Sequence, residues 1–177
     1  MSDENKVERR MLFVTEMDTP IGKLTAGASE EGVCFLEYEN RKNVKKYNEF
    51  KEGENNHLAD LRRELDEYFN GNRQEFSVTL APEGTSFQNR VWSALSKIPF
   101  GSTVSYLELA ETLGNKGSIR AAANANAKNP VAILIPCHRV IGGNGKLTGY
   151  AGGLWRKKWL IDHEKRYSGQ PVALQLF

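Results

Sequence analysis

The hydrophobic pattern of this chain changes period near residue 85, and that change limits what it can fold into. Residues 11–38, MLFVTEMDTPIGKLTAGASEEGVCFLEY, carry β-rich runs separated by the turn-like TPIG and SEEG. From residue 86 onward the apolar residues fall mostly at helical spacing, punctuated by glycine and proline. A length of 177 residues suits one large domain or two small ones sharing an interface. The pattern therefore predicts an α/β N-terminal domain over 1–85 and a mainly α C-terminal domain over 86–177.

In the first half, Cys34 lies inside the apolar run VCFL and reads as a small buried hydrophobe. Residues 40–56 are polar and charged, as in an exposed loop. HLADLRRELDEYFNG then aligns Leu58, Leu61, Leu65 and Phe69 on one helical face, with Gly71 as a stop. EFSVTL reads as a last strand and APEGT as the link between halves. In the second half, SFQNRVWSALSKI aligns Phe87, Val91, Leu95 and Ile98 behind Ser86 as N-cap. SYLELAETLG opens on a capping box, Ser105 with Glu108, and ends at Gly114. After the short turn NKG, SIRAAANANAKN starts at a Ser118 cap and stops at Pro130. VAILI, residues 131–135, reads as a fully apolar strand-like run. GGNGKLTGYAGG is a loop holding six glycines. LWRKKWLIDHEKR is a final helix, with Lys165 and Arg166 at the end where the macrodipole favours cations.

Charge follows the same division. Residues 1–85 carry a net charge of −6 and residues 86–166 one of +8, within an overall +2. Such polarity points either to halves that attract each other or to one half that meets an anionic partner, of which nucleic acid is the usual one. No apolar stretch approaches the roughly 20 residues that span a bilayer. The charged start, MSDENKVERR, has no apolar secretory core, so a cytoplasmic location is expected, or a nuclear one in a eukaryote. The histidines, His57, His138 and His163, and the cysteines, Cys34 and Cys137, form no C-x-x-C or H-x-x-x-H pair, and no metal is expected.

Two features carry chemistry. Two helices separated by about four residues that include glycine match a helix-turn-helix. The second helix is thin, because Ala121, Ala122, Ala123, Ala125 and Ala127 leave it little bulk. That suits either tight helix packing or close approach to a nucleic-acid groove. Arg120, Asn124 and Asn126 share the helix, and Lys116 and Lys128 flank it. With the charge asymmetry, these residues favour DNA contact through Arg120, Ala121, Ala122, Asn124, Ala125, Lys116 and Lys128.

The other feature is IPCHRV, residues 135–140. Cys137 is open to four uses: core filler, metal ligand, half of a disulfide, or nucleophile. A reducing compartment disfavours the disulfide. A nucleophilic cysteine acts as thiolate, while a free thiol has a pKa of about 8.5, so it needs a cation, base or dipole nearby. His138 is adjacent, but consecutive residues of an extended segment point opposite ways. A tight turn after Pro136, or a bridging water, would bring the two together. Glu164, on the last helix, is the natural third member, holding the imidazole in one tautomer.

NPVAILIPCHRVI, followed by GGNGKLTGYAGG and WLIDHE, resembles the O6-alkylguanine-DNA alkyltransferase family. The resemblance runs from about Ser86 to Arg166 and, more weakly, through TPIGKL and GVCFLEY. It implies a ribonuclease-H-like sheet in the first domain and a second domain whose helix-turn-helix docks in the minor groove. The implied activity is direct-reversal DNA repair. An alkyl group passes once from O6-alkylguanine, or O4-alkylthymine, in double-stranded DNA to Cys137 after the base is flipped. By the same resemblance His138 is the base that reaches the thiol through a water, and Glu164 is its orienting carboxylate. Arg120 is the finger that fills the space of the flipped nucleotide. Tyr106 helps rotate the base and donates a proton to guanine N3. Asn129 ties the active-site turn to the helix-turn-helix, and Tyr150 lines the pocket. Backbone near Val140 accepts from the 2-amino group, and N–H groups near Ala151 bind O6. No cofactor is implied, since the damaged DNA is itself the alkyl donor, and a monomer is expected.

Ala151 stands where some members of that family carry serine, and Ala132 where some carry proline, so adducts larger than methyl are expected to be tolerated. His138 and Glu164 are expected to depress the Cys137 pKa and keep transfer fast below about pH 8.5. Two rival activities fit the same residues less well. A non-catalytic lesion sensor of this fold replaces the acceptor cysteine, which is present here. A cysteine hydrolase built on Cys137, His138 and Glu164 needs neither Arg120 nor the alanine-rich helix.

Overall fold

A computed structural model describes residues 11–39, 43–47 and 49–169. The charged segment 1–10, the end of the C-terminal domain at 170–177 and part of the loop read over 40–56 lie outside the described residues. Strands β1 (Leu12–Thr19), β2 (Gly22–Ser29) and β3 (Gly32–Glu37) form an antiparallel meander. Thr19 Oγ1 closes the first turn by donating to the Gly22 carbonyl at 2.6 Å. At the second turn Gly32 has φ +152°, and a Cβ there would stand 2.6 Å from the Thr79 carbonyl oxygen. Glycine thus lets residues 79–81 run beside β3, where Val33 N donates to Thr79 O and Ala81 N to Val33 O.

Two expectations for this half fail. EFSVTL is not a regular strand: within it only Leu80 forms a bridge, to Val33. The buried Glu64 carboxylate takes the N–H groups of Ser77 and Val78, which a ladder would otherwise use. Residues 40–56 are not wholly loop, because β4 (Phe50–Glu52) pairs parallel with the β1 edge. Its three residues are all exposed, so no burial pattern marked it. The sheet order is β3-β2-β1-β4.

Helix α1 (Asn56–Phe69) lies on this sheet, capped by Asn55, whose side chain accepts from Leu58 N. Leu58, Leu61 and Leu65 are buried as the spacing predicts; Tyr68 is buried deeper than Phe69. Helix α2 (Ser86–Leu95) takes its capping box from Thr85 and Gln88, so Ser86 is the first helical residue and not the cap. Helices α3 (Tyr106–Thr112), α4 (Ile119–Ala127) and α5 (Leu154–Tyr167) complete the helical half. A short parallel pair joins β5 (Val104–Ser105) to β6 (Val140–Ile141). One apolar core crosses the two halves: Leu24, Leu36, Leu61 and Tyr68 share it with Val91, Leu95, Ile133 and Leu160. Among the described residues, no helix is long and apolar enough to cross a membrane.

VAILI departs from the strand expected. Val131 bridges to Leu36 of β3, with Leu36 N donating to Pro130 O and Ala132 N to Leu36 O. The chain then turns back on itself, and Ile135 N donates to Val131 O at 3.0 Å. Asn129 clamps both ends: its Oδ1 accepts from Val131 N at 2.9 Å and its Nδ2 donates to Ile135 O at 2.7 Å. Ile133, at the apex, has φ +72°, unfavourable for a β-branched residue and costing on the order of 1–3 kcal/mol. Burial of all five apolar side chains and the Asn129 clamp offset it.

Candidate active site

The clamped turn delivers Cys137, His138 and Arg139 as a single 3-10 turn directly after Pro136. The chain does turn tightly here, but no hydrogen bond joins the Cys137 and His138 side chains among the described residues. All three side chains are buried. His138 Nε2 lies 2.7 Å from Glu164 Oε1 on α5. Glu164 accepts as a carboxylate, so Nε2 carries a proton and donates it to the pair. Nδ1 has no hydrogen-bond partner among the described residues.

Glu164 is held from several directions. Oε1 also accepts from Tyr68 OH at 2.8 Å and Arg139 Nη2 at 3.0 Å. Oε2 accepts from Arg139 Nε at 2.8 Å and Gly101 N at 3.3 Å. Burial alone would raise the Glu164 carboxyl, but His138 and then Arg139 outweigh it and hold the group well below the usual carboxylate range. Arg139 is fixed in turn by donating Nη1 to the Ile98 carbonyl.

Cys137 differs from expectation. Its thiol pKa is raised, not depressed: burial pushes it up, and the Asn129 side chain and the Lys157 charge only partly oppose this. The depression expected from His138 and Glu164 does not occur, because burial outweighs the groups that lower the thiol. The shift favours the protonated thiol. Cys34 and Cys137 are both free, which removes the disulfide reading.

A cleft of about 450 Å³ opens beside Cys137. Tyr38 from the first half lines it together with Trp92, Asn126, Asn129, Tyr150 and Ala151 from the second; Ala132 lies on the same wall. Tyr150 OH and Tyr38 OH are 2.7 Å apart. The Tyr38 ring also lies 4.7 Å from the Arg156 guanidinium and directly under Gly152, where a Cβ would meet it at 2.5 Å. Tyr106 and Val140 do not line the cleft. Tyr106 OH donates to Thr148 O at 3.5 Å, and Val140 is fully buried beside Val104.

The helix-turn-helix forms as expected from Ser105 and Glu108, whose capping box starts α3, and Gly114 (φ +82°) ends that helix region. Ser118 does not cap α4; its hydroxyl donates back to Asn115 O within a short 3-10 turn. The alanines divide by face. Ala122 and Ala125 are buried against α2 and α3 and cannot meet DNA, which corrects their assignment as contacts. The carbonyl of Ala125 accepts from Trp92 Nε1 at 2.9 Å. Arg120, Ala121, Asn124 and Lys128 are exposed. Arg120 has no hydrogen bond or ion pair among the described residues, and Lys116 pairs with Glu111 at 3.0 Å.

Sequence reasoning missed Tyr68, Arg139, Lys157 and Tyr38. Arg139 stood inside the motif and needed only to be weighed. Lys157 has no exposed surface; its Nζ donates to Thr148 O at 2.8 Å and Gly149 O at 3.4 Å. Burial lowers its pKa, and the Cys137 charge opposes this. Tyr68 and Tyr38 come from the other half of the chain, and nothing local marked them.

Comparison with known proteins places these features. Residues 12–82 match the ribonuclease-like domain of 6-O-methylguanine DNA methyltransferase, and residues 86–166 match its DNA binding domain. A methylated-DNA–protein-cysteine methyltransferase of Methanosarcina acetivorans is 42% identical over 154 residues, 86% of this chain and 98% of that protein. One from Mycolicibacterium paratuberculosis is 44% identical over 170 residues, covering 94% and 99%. The crystal structure of Mycobacterium tuberculosis O6-methylguanine methyltransferase superposes with a TM-score of 0.78 at 41% identity, covering 94% and 99%. That of the same organism's OGT in complex with DNA gives 0.80 at 40% identity, covering 88% and 94%. The chain belongs to the 6-O-methylguanine DNA methyltransferase family.

Proposed function

We propose that this protein repairs alkylated DNA by direct reversal, moving the alkyl group of O6-alkylguanine, or O4-alkylthymine, in double-stranded DNA onto its own Cys137. The observation that carries the reading is the buried Cys137–His138 turn, braced by Glu164 of α5, beside an open cleft on the same body as an exposed, thin helix bearing Arg120. A reactive base stacked in a duplex is out of reach, so it must be flipped into the cleft. Arg120, unpaired at the start of α4, suits the space the base leaves.

Once the base is seated, His138 Nδ1 takes the Cys137 proton through a water. Its Nε2–H stays on Glu164, which stabilises the imidazolium that forms. The thiolate attacks the alkyl carbon in line, the bond from carbon to O6 breaks, and the electron pair passes to guanine. A proton from Tyr106 at N3 and N–H groups near Ala151 at O6 offset the developing charge. Asn129 supports this by fixing the turn, and Tyr150 by forming a wall of the cleft. The roles of Tyr106 and the Val140 carbonyl rest on family resemblance alone. The product is a thioether, so each molecule reacts once. The donor DNA supplies all the chemistry, and no cofactor enters. In this reading the protein is a monomer, divided at 85/86 and working in the cytoplasm or, in a eukaryote, the nucleus.

Mass spectrometry after incubation with duplex DNA containing O6-methylguanine tests this. A stoichiometric gain of one methyl on the Cys137 peptide, absent in Cys137→Ser, is the expected result. Lesion binding without mass gain would mark a sensor instead.

A further inference from the structure

Asn126 sits on the inner face of α4, only 4% exposed, on the lining of the cleft that holds Cys137. Its Oδ1 has no hydrogen-bond partner among the described residues. An unsatisfied buried acceptor is costly, and native proteins keep few of them without a use. Asn126 lines the cleft, and a donor group on an occupant of the cleft would satisfy it.

The chemistry of that occupant narrows the choice. An O6-alkylguanine has lost the N1 proton, so its base edge offers donors only at the 2-amino group. Methyl and longer alkyl adducts add none. In-line attack places Sγ, the reacting carbon and O6 on one line, and further adduct atoms must leave that line sideways, toward the walls beside Cys137. Asn126, Ala132 and Tyr150 line the same cleft as Cys137. The cleft, at about 450 Å³, is also larger than a methylated purine requires.

Building on the alkyl-transfer reading above, we infer that Asn126 is a specificity residue that accepts a hydrogen bond from a hydroxyl on the adduct, favouring hydroxyalkyl lesions such as O6-(2-hydroxyethyl)guanine over alkyl lesions of equal size. The step is the same displacement: Sγ bonds to the adduct's first carbon, that carbon's bond to O6 breaks, and guanine leaves with the proton it gains. The protein retains an S-(2-hydroxyethyl)cysteine.

Single-turnover rates on duplexes carrying O6-(2-hydroxyethyl)guanine and O6-n-propylguanine test the inference in the wild type, Asn126→Leu and Asn126→Met. The two adducts have the same number of heavy atoms and differ in the donor. The wild type should prefer the hydroxyethyl lesion, and the preference should fall about fivefold to tenfold in both variants, as expected for one hydrogen bond. Comparing the ratio within each protein cancels the intrinsic reactivity of the adducts. An unchanged ratio in the variants overturns the inference. So does a wild type that takes propyl as fast as hydroxyethyl, and that arm needs no variant to fold. O6-methylguanine duplex run in parallel separates the two claims: no transfer from it sinks the alkyl-transfer reading, whereas transfer with no hydroxyl preference sinks only this one.

Discussion

The region around Glu164 and the region around the cleft are built on opposite principles. Around Glu164 every acceptor is used: Tyr68, Arg139, His138 and Gly101 all donate to one buried carboxylate. Beyond it polar atoms are left over among the described residues, namely the His138 Nδ1 and, on a residue lining the cleft, the Asn126 Oδ1. His138 belongs to both, tied at one nitrogen and free at the other. A base that must act once, on cue, needs an immobile support and an uncommitted working atom. The saturated region supplies the first and the unsaturated region the second.

Replacing Glu164 by Gln attacks the support and should have the largest effect. It leaves the buried Arg139 guanidinium without its counter-charge, a loss of about 3–5 kcal/mol. The melting temperature should fall by roughly 10 °C for a chain of this size, and alkyl transfer should slow more than DNA binding weakens. The sign with pH is fixed. The folded Glu164 carboxyl lies below its ordinary value, so its contribution is fully present above the ordinary carboxylate range and fades as pH falls toward the depressed value. Melting curves of wild type and variant should therefore converge on acidification. Curves that stay parallel would show that the carboxylate's charge is not what holds this region.

Tyr68→Phe sharpens the same comparison by removing one neutral donor and keeping the charges. One hydrogen bond to a charged acceptor is worth about 1.5–3 kcal/mol, so denaturant unfolding should register a smaller loss than for Glu164→Gln. Transfer should drop only modestly, because Arg139 and Gly101 still hold Glu164.

On the cleft side, burial raises the Cys137 thiol, so the neutral thiol dominates at pH 7 and the thiolate increases with pH. The transfer rate should climb from pH 6 through the ordinary thiol range of about 8.5. Lys157→Met removes the charge that opposes this rise and leaves the Thr148 and Gly149 carbonyls without their donor. Its pH profile should move further to the alkaline side, with transfer several-fold slower at pH 7. An unshifted profile would confine Lys157 to a structural role in the loop.

How much could be read in advance depended on distance along the chain. The Ser105–Glu108 capping box, the apolar face of α1 and the Cys137–His138 motif are local, and each sits where the sequence put it. The turn at VAILI was not legible, because an apolar run specifies burial but not direction; Asn129 reverses it by bonding across six residues. Strand β4 was hidden because only the β1 edge gives its exposed residues a reason to be extended. Ala122 and Ala125 look like Ala121 in sequence, and only packing against α2 and α3 tells them apart. Tyr68 meets Glu164 across 96 residues, a separation no periodicity spans.

Tyr38 sets the smallest test, and it asks whether the cleft depends on the other half of the chain at all. Its hydroxyl lies 2.7 Å from that of Tyr150, while its ring is held between Arg156 and the backbone at Gly152. Tyr38→Phe keeps the ring and deletes only the hydroxyl, so unfolding should change by about 1 kcal/mol. Tyr150 would then be free to choose another rotamer, and since it lines the cleft, transfer from a bulky adduct should slow by a few-fold while transfer from methyl changes less. Equal slowing for both would mean that Tyr38 supports the whole loop and not the position of one wall. No slowing would leave the first half acting through Tyr68 under Glu164 and Leu36 beside the turn, and not through this wall of the cleft.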